Sequence, residues 1–224
     1  IGFSWGATLA SHYMFKYPQR VAKVIFSSPG PIAAGKNSYL EDMVPEKPLS
    51  PEDSAHWLQV LQPSFRIMVG RQLAMMGSRA AFCLVPDWEV DRWADSWWGE
   101  AISLNRMRGF CNDTLGRAVI DMQKKAGGTG NGFFCNTNTI IDLSTLPDPR
   151  PKLKENQSPA LILRGQCDFI GWSVAHDYRT TFPNSKLLPI RGAGHLTWVE
   201  QPKLYKSTIA AFVADEPLPI ADCA

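Results

Sequence analysis

The chain has 224 residues, a formal net charge of +2 and 20% charged residues, ordinary for an enzyme and without the concentrated basic stripe that nucleic-acid binding calls for. No apolar run reaches the roughly 18 residues that a membrane-spanning helix needs. Its five cysteines (Cys83, Cys111, Cys135, Cys167, Cys223) are odd in number and scattered without metal-ligand spacing, which predicts reduced structural thiols, no disulfide framework and no bound metal, and favours a cytoplasmic setting while leaving the compartment open.

Ile1-Gly2-Phe3-Ser4-Trp5-Gly6 reads as the end of a strand followed by Gly-x-Ser-x-Gly. A sharp turn from strand into helix lifts a serine side chain clear of the backbone, above the unpaired N–H groups of the helix start. Strain at the serine, and crowding of any Cβ at Gly2 or Gly6, account for the two glycines. The helix covers 7–16 and stops at Tyr17-Pro18. A strand over 21–27 follows and ends in Ser28-Pro29-Gly30, without a carboxylate. Residues 30–50 are loop-like. Ser50-Pro51-Glu52-Asp53 is a helix start, with Ser as cap, Pro in the first turn and acids favoured by the dipole. Helices are predicted to 62 and over 65–76, 86–108 and 114–125, whereas 133–141 stays ambiguous between strand and helix. The glycines of 127–132 lack the Lys-Ser/Thr that would make a phosphate loop. Pro147-Asp148-Pro149-Arg150-Pro151 reads as a stiff linker. After Pro159, residues 160–165 form a short buried parallel strand. Asp168 lies just past its C-terminal end, on the edge where open α/β sheets place their chemistry. A helix over 172–180 encloses Asp177, the weaker candidate acid. A last strand over 186–190 runs into Gly192-Ala193-Gly194-His195.

A serine hydroxyl becomes a nucleophile when an imidazole takes its proton and a carboxylate holds that imidazole in the right tautomer. Of the four histidines (His12, His56, His176, His195), only His195 is presented at a strand end by a glycine-rich bend. Ser4, Asp168 and His195 are therefore the candidate catalytic set, with the backbone N–H of Trp5 as oxyanion donor. Each has a plainer reading, as a turn residue or a loop histidine; three strand ends together favour chemistry. Trp88, Trp93, Trp97 and Trp98 fall within eleven residues, and Trp93, Trp97 and Ala101 share a helix face. These aromatics either pack the helical segment onto the body or wall a pocket over Ser4. Acids interleave with them, and the candidate pocket set is Trp88, Trp93, Trp97, Glu89 and Glu100. No cofactor is expected.

The order Ser4, Asp168, His195 resembles the α/β-hydrolase family. Within that family, Gly2-Phe3-Ser4-Trp5-Gly6, Tyr17-Pro18-Gln19-Arg20-Val21, Gly165-Gln166-Cys167-Asp168 and Gly192-Ala193-Gly194-His195 look like the proline iminopeptidase branch. The resemblance covers roughly 1–30 and 158–214. It implies an α/β fold with a mostly parallel sheet, in which 1–30 and 158–224 form the core and 31–157 a helical cap. It implies a serine hydrolase acting on small amides or esters, with a small molecule or short peptide as substrate, and one of the cap acids holding a free amino terminus. A carboxylesterase or lipase, or a non-catalytic binding relative, is the alternative. Oligomeric state is left open. The family's earlier strands and second oxyanion donor have no counterpart here. Loss of one such donor costs about 10²–10³ in turnover, and an uncovered sheet edge invites association. The 224-residue piece alone is thus expected to be inactive and poorly soluble.

Overall fold

Short runs of valine, isoleucine, leucine and phenylalanine set the sheet. The computed structural model describes residues 1–33, 51, 55, 64–76, 85–86, 88–95, 109–126 and 132–223. Four strands pair in parallel in chain order: β1 (Gly2–Phe3), β2 (Val24–Ser27), β3 (Ala160–Gly165) and β4 (Ser185–Ile190). The described helices are α1 (Trp5–Lys16), α2 (Phe65–Met75), α3 (Asp113–Lys125), α4 (Phe133–Thr145), α5 (Arg150–Leu153), α6 (Trp172–Thr181), α7 (Thr197–Glu200) and α8 (Pro202–Val213). Residues 88–95 are also helical.

Every residue of β2 and β3 is buried, as it must be in parallel strands covered on both faces. Successive side chains point to opposite faces, so Ile25 and Phe26 serve different layers. Ile25 joins Leu161, Leu163, Leu188, Ile190 and Ala193 in one cluster, closed by Phe212 of α8. Phe26 meets Tyr178 of α6 and Phe182 just beyond it, with ring centroids 4.6 and 4.9 Å away. Burying each such side chain is worth roughly 1.5–3 kcal/mol against leaving it in water.

The chain divides into two compact units. One, made of Ile1–Pro45, Met107–Asn112 and Leu143–Ala224, carries the whole sheet. The other, Glu46–Arg106 and Asp113–Asp142, is mainly helical where described. Within this second unit, Gly70 passes so close to Val85 that a Cβ there would lie 2.6 Å from the valine side chain.

Several details differ from the reading of the sequence. The strand expected from 21 begins at Val24, because Pro18–Arg20 coil into a short 3₁₀ turn. The ambiguous stretch is helix α4, and the Asp91 carboxylate accepts the Phe134 N–H at 3.2 Å, satisfying one of the helix's orphan first-turn donors. The expected stiff linker is partly helix α5, whose Arg150 makes three hydrogen bonds to Asp177. The helix expected up to 62, apart from residues 51 and 55, and positions 96–108 of the helix expected over 86–108 lie outside the described residues. Most consequentially, Cys111 and Cys167 are joined in a disulfide across 56 residues. The expectation of thiols throughout is corrected, and with it falls the argument from reduced cysteines to a cytoplasmic setting. Cys135 and Cys223 are free, and Cys83 lies outside the described residues. Among the described residues, no helix is long and apolar enough to cross a membrane.

Candidate active site

Ser4 stands where β1 turns into α1, with φ 50° and ψ −118°. Few residues with a side chain adopt this region, and it persists only when the surroundings over-determine it. They do so here. The Ser4 N–H donates to the Ser27 carbonyl at 3.0 Å, while its own carbonyl accepts the N–H groups of Ala7 (3.0 Å) and Gly30 (2.9 Å). A Cβ on Gly2 would collide with the Gly6 carbonyl and sit 2.7 Å from Ala7 Cα, so the first glycine is required sterically. Gly6 departs from expectation: among the described residues, nothing lies within 4 Å of where its Cβ would stand. Trp5 and Gly6 open the helix, and their N–H groups have no helical acceptor.

Asp168 and His195 are both buried and come together at the ends of β3 and β4. Asp168 Oδ1 lies 2.8 Å from His195 Nδ1 and accepts the Ile170 N–H at 3.0 Å. A carboxylate only accepts, so Nδ1 carries the proton and the Nε2 lone pair is left to act as a base. Burial pushes the Asp168 carboxyl upward. The charge His195 carries when protonated, its hydrogen bond, the Ile170 N–H and the charge of Arg164 outweigh that and hold it below the usual carboxylate range. Arg164 is itself buried in β3. Its guanidinium donates to the carbonyls of Gly165 (2.7 Å), Asp168 (3.2 Å) and Ile170 (2.8 Å), and it lies over the Trp172 ring. The turn bearing the acid is thereby wrapped around one cation.

The imidazole sits between two rings, with centroids 4.8 Å away for Phe3 and 4.5 Å for Phe169. Phe3 in turn meets the Trp198 ring edge-on at 4.4 Å. The structure therefore joins Asp168 to His195 directly, and sets the His195 ring against Phe3, the neighbour of Ser4. Among the described residues, the Ser4 hydroxyl makes no hydrogen bond.

Of the candidate pocket positions, Trp88 is exposed, Trp93 is half-buried, and Glu89 is ion-paired with Arg66 at 3.0 Å, all within the second unit. Trp97, Trp98, Glu100 and His56 lie outside the described residues. Among those described, no group of three or more His, Cys, Asp or Glu could hold a metal ion. Arg164, Glu200 and the disulfide were not anticipated. For Arg164 a signal existed: a charge inside an apolar strand has to find partners.

A family model for the α/β hydrolase fold matches residues 1–202. No curated protein matches. Among solved structures, an α/β hydrolase enzyme, MGS-M2, from a Medee basin deep-sea metagenome library shares 16% identity at a TM-score of 0.58, over 97% of this chain and 65% of that one. A thermophilic esterase from Thermogutta terrifontis shares 20% identity at 0.56, over 96% and 63%. A bromoperoxidase from Bacillus anthracis shares 18% at 0.51, over 96% and 66%. The chain thus spans a little under two thirds of the length of these structures.

Proposed function

The chain belongs to the α/β-hydrolase family, and from that premise we propose that it is a serine hydrolase working through an acyl-enzyme. Ser4 attacks a carbonyl carbon while His195 Nε2 takes the hydroxyl proton. The tetrahedral oxyanion is stabilised by the Trp5 N–H, one of the free donors at the start of α1. The carbonyl's leaving group departs with the proton from His195. Water, deprotonated by the same imidazole, then releases the acid and restores Ser4. Asp168 holds the imidazole in its tautomer throughout. The observation that carries this reading is the buried 2.8 Å Asp168–His195 hydrogen bond, in the same unit as a serine at φ 50° opening a helix.

Small amides or esters are the substrates we assign, with peptides bearing an N-terminal proline as the sharper choice, on the motifs shared with proline iminopeptidases. A simple esterase is the competitor. Turnover of proline-naphthylamide and of short p-nitrophenyl esters by the full-length protein separates the two. We expect the naphthylamide to have the higher kcat/KM; ester turnover alone would reject the peptidase assignment, and neither would reject the hydrolase.

A further inference from the structure

The main-chain segment Gly109–Asn112 is fastened to both loops that bear the proposed acid and base. The Gly109 carbonyl accepts the His195 N–H at 2.8 Å. Two residues on, Cys111 is bonded to Cys167, the neighbour of Asp168. Glu200, five residues beyond His195, completes the fastening with three backbone N–H groups. Asn112 donates to Oε1 at 2.7 Å, while Cys111 (3.2 Å) and Gly194 (2.5 Å) donate to Oε2. Hydrogen bonds to a carboxylate are shorter and stronger than neutral ones, and here one side chain ties the strap to the residue preceding His195. The approach leaves no slack. A Cβ on Gly194 would come within 2.7 Å of Phe110 Cα, and one on Gly165 within 2.7 Å of the Gly194 carbonyl carbon.

We infer that Glu200 is a positioning residue: by clamping Gly194 to the 109–112 strap, it fixes the height and tilt at which the His195 imidazole addresses Ser4. The inference rests on the hydrolase reading above. Glu200 plays no part in the chemistry itself; its carboxylate is spent on the three N–H groups. Without the clamp, Asp168 still holds Nδ1, but the backbone carrying the ring can shift. Misplacement by about 1 Å costs on the order of 10² in rate. An amide at this position retains one oxygen able to accept from Gly194 and Cys111, and sets an NH₂ group against the Asn112 N–H.

The test compares Glu200→Ala and Glu200→Gln with wild type in the full-length protein, each normalised to its end-point titre of fluorophosphonate-reactive Ser4. We expect kcat per titrated site to fall about 100-fold in Glu200→Ala and about 10-fold in Glu200→Gln, with KM within about threefold of wild type. A merely structural side chain would lower the titre and leave kcat per site alone. An unchanged kcat per site in both variants, with wild type active, overturns the positioning role and spares the hydrolase reading. If Glu200→Ala does not fold, Glu200→Gln decides alone. A wild-type protein that takes no label removes the hydrolase reading, and this inference with it.

Discussion

Asp168 is a buried carboxylate kept ionised by its neighbours, and this has a consequence for acid stability. Its folded-state value lies below the ordinary 3.8. The stability it contributes is therefore fully present above that value and is lost as the pH falls through the folded one. Urea midpoints measured from about pH 6 down to about pH 2 are expected to fall more steeply below about pH 4 in wild type than in Asp168→Asn; parallel curves would show that the carboxylate is not held down. In catalysis the same substitution presents the wrong tautomer and is expected to lower kcat by about 10⁴. Ser4→Ala should leave no more than about a thousandth of the wild-type rate; steady-state kinetics on the full-length protein read both. Ser4, Asp168 and His195 offered themselves in the sequence as candidates because each follows a run with strand character and sits beside glycine or in a turn. Glu200 could not. Its partners are backbone N–H groups of Cys111, Asn112 and Gly194, and no side-chain pattern records which main-chain donors a fold will bring to a carboxylate.

Among the elements, β3 was legible to the residue, since a proline precedes six buried positions and a glycine ends them. Helix α4 was not. Phe133-Phe134-Cys135-Asn136-Thr137-Asn138-Thr139-Ile140-Ile141 is rich in β-branched and polar residues with no clear period, and a carboxylate supplied by Asp91 from 43 residues away serves its first turn. Such tertiary partners decide local structure wherever intrinsic preference is weak. The layer on one side of the sheet depends on Phe26, which is fully buried between Tyr178 and Phe182. Phe26→Ala is expected to cost about 3–5 kcal/mol by the shift of a denaturant midpoint. A cost below about 1 kcal/mol would mean that this layer can collapse around the gap. At the Ser4 turn, Gly2→Ala forces the start of α1 away from β1, and a loss of both stability and Ser4 reactivity is expected.

Across the whole molecule, the division into two units and the disulfide belong together. Cys111 and Cys167 both lie in the sheet-bearing unit, and the loop they close contains Asp113–Asp142 of the other. In the chain-entropy account, a bridge across 56 residues constrains the unfolded chain by roughly 4 kcal/mol. Treatment with a dithiol reductant is expected to lower the protection of amide protons in β3 and β4 against exchange while leaving α3 little changed; equal loss in both would show that the units unfold as one. The family and the parallel sheet were legible from the two ends of the chain, where the motifs lie. The pairing of Cys111 with Cys167 was not, since it depends on a main-chain segment from between the two helical stretches joining the sheet-bearing unit. The proposed chemistry requires Ser4 to react with the help of His195. Labelling the full-length protein with a fluorophosphonate and locating the adduct by peptide mass tests this most directly: the expected result is a single adduct on Ser4 that His195→Ala abolishes, and an unlabelled Ser4, or labelling indifferent to His195, would contradict it.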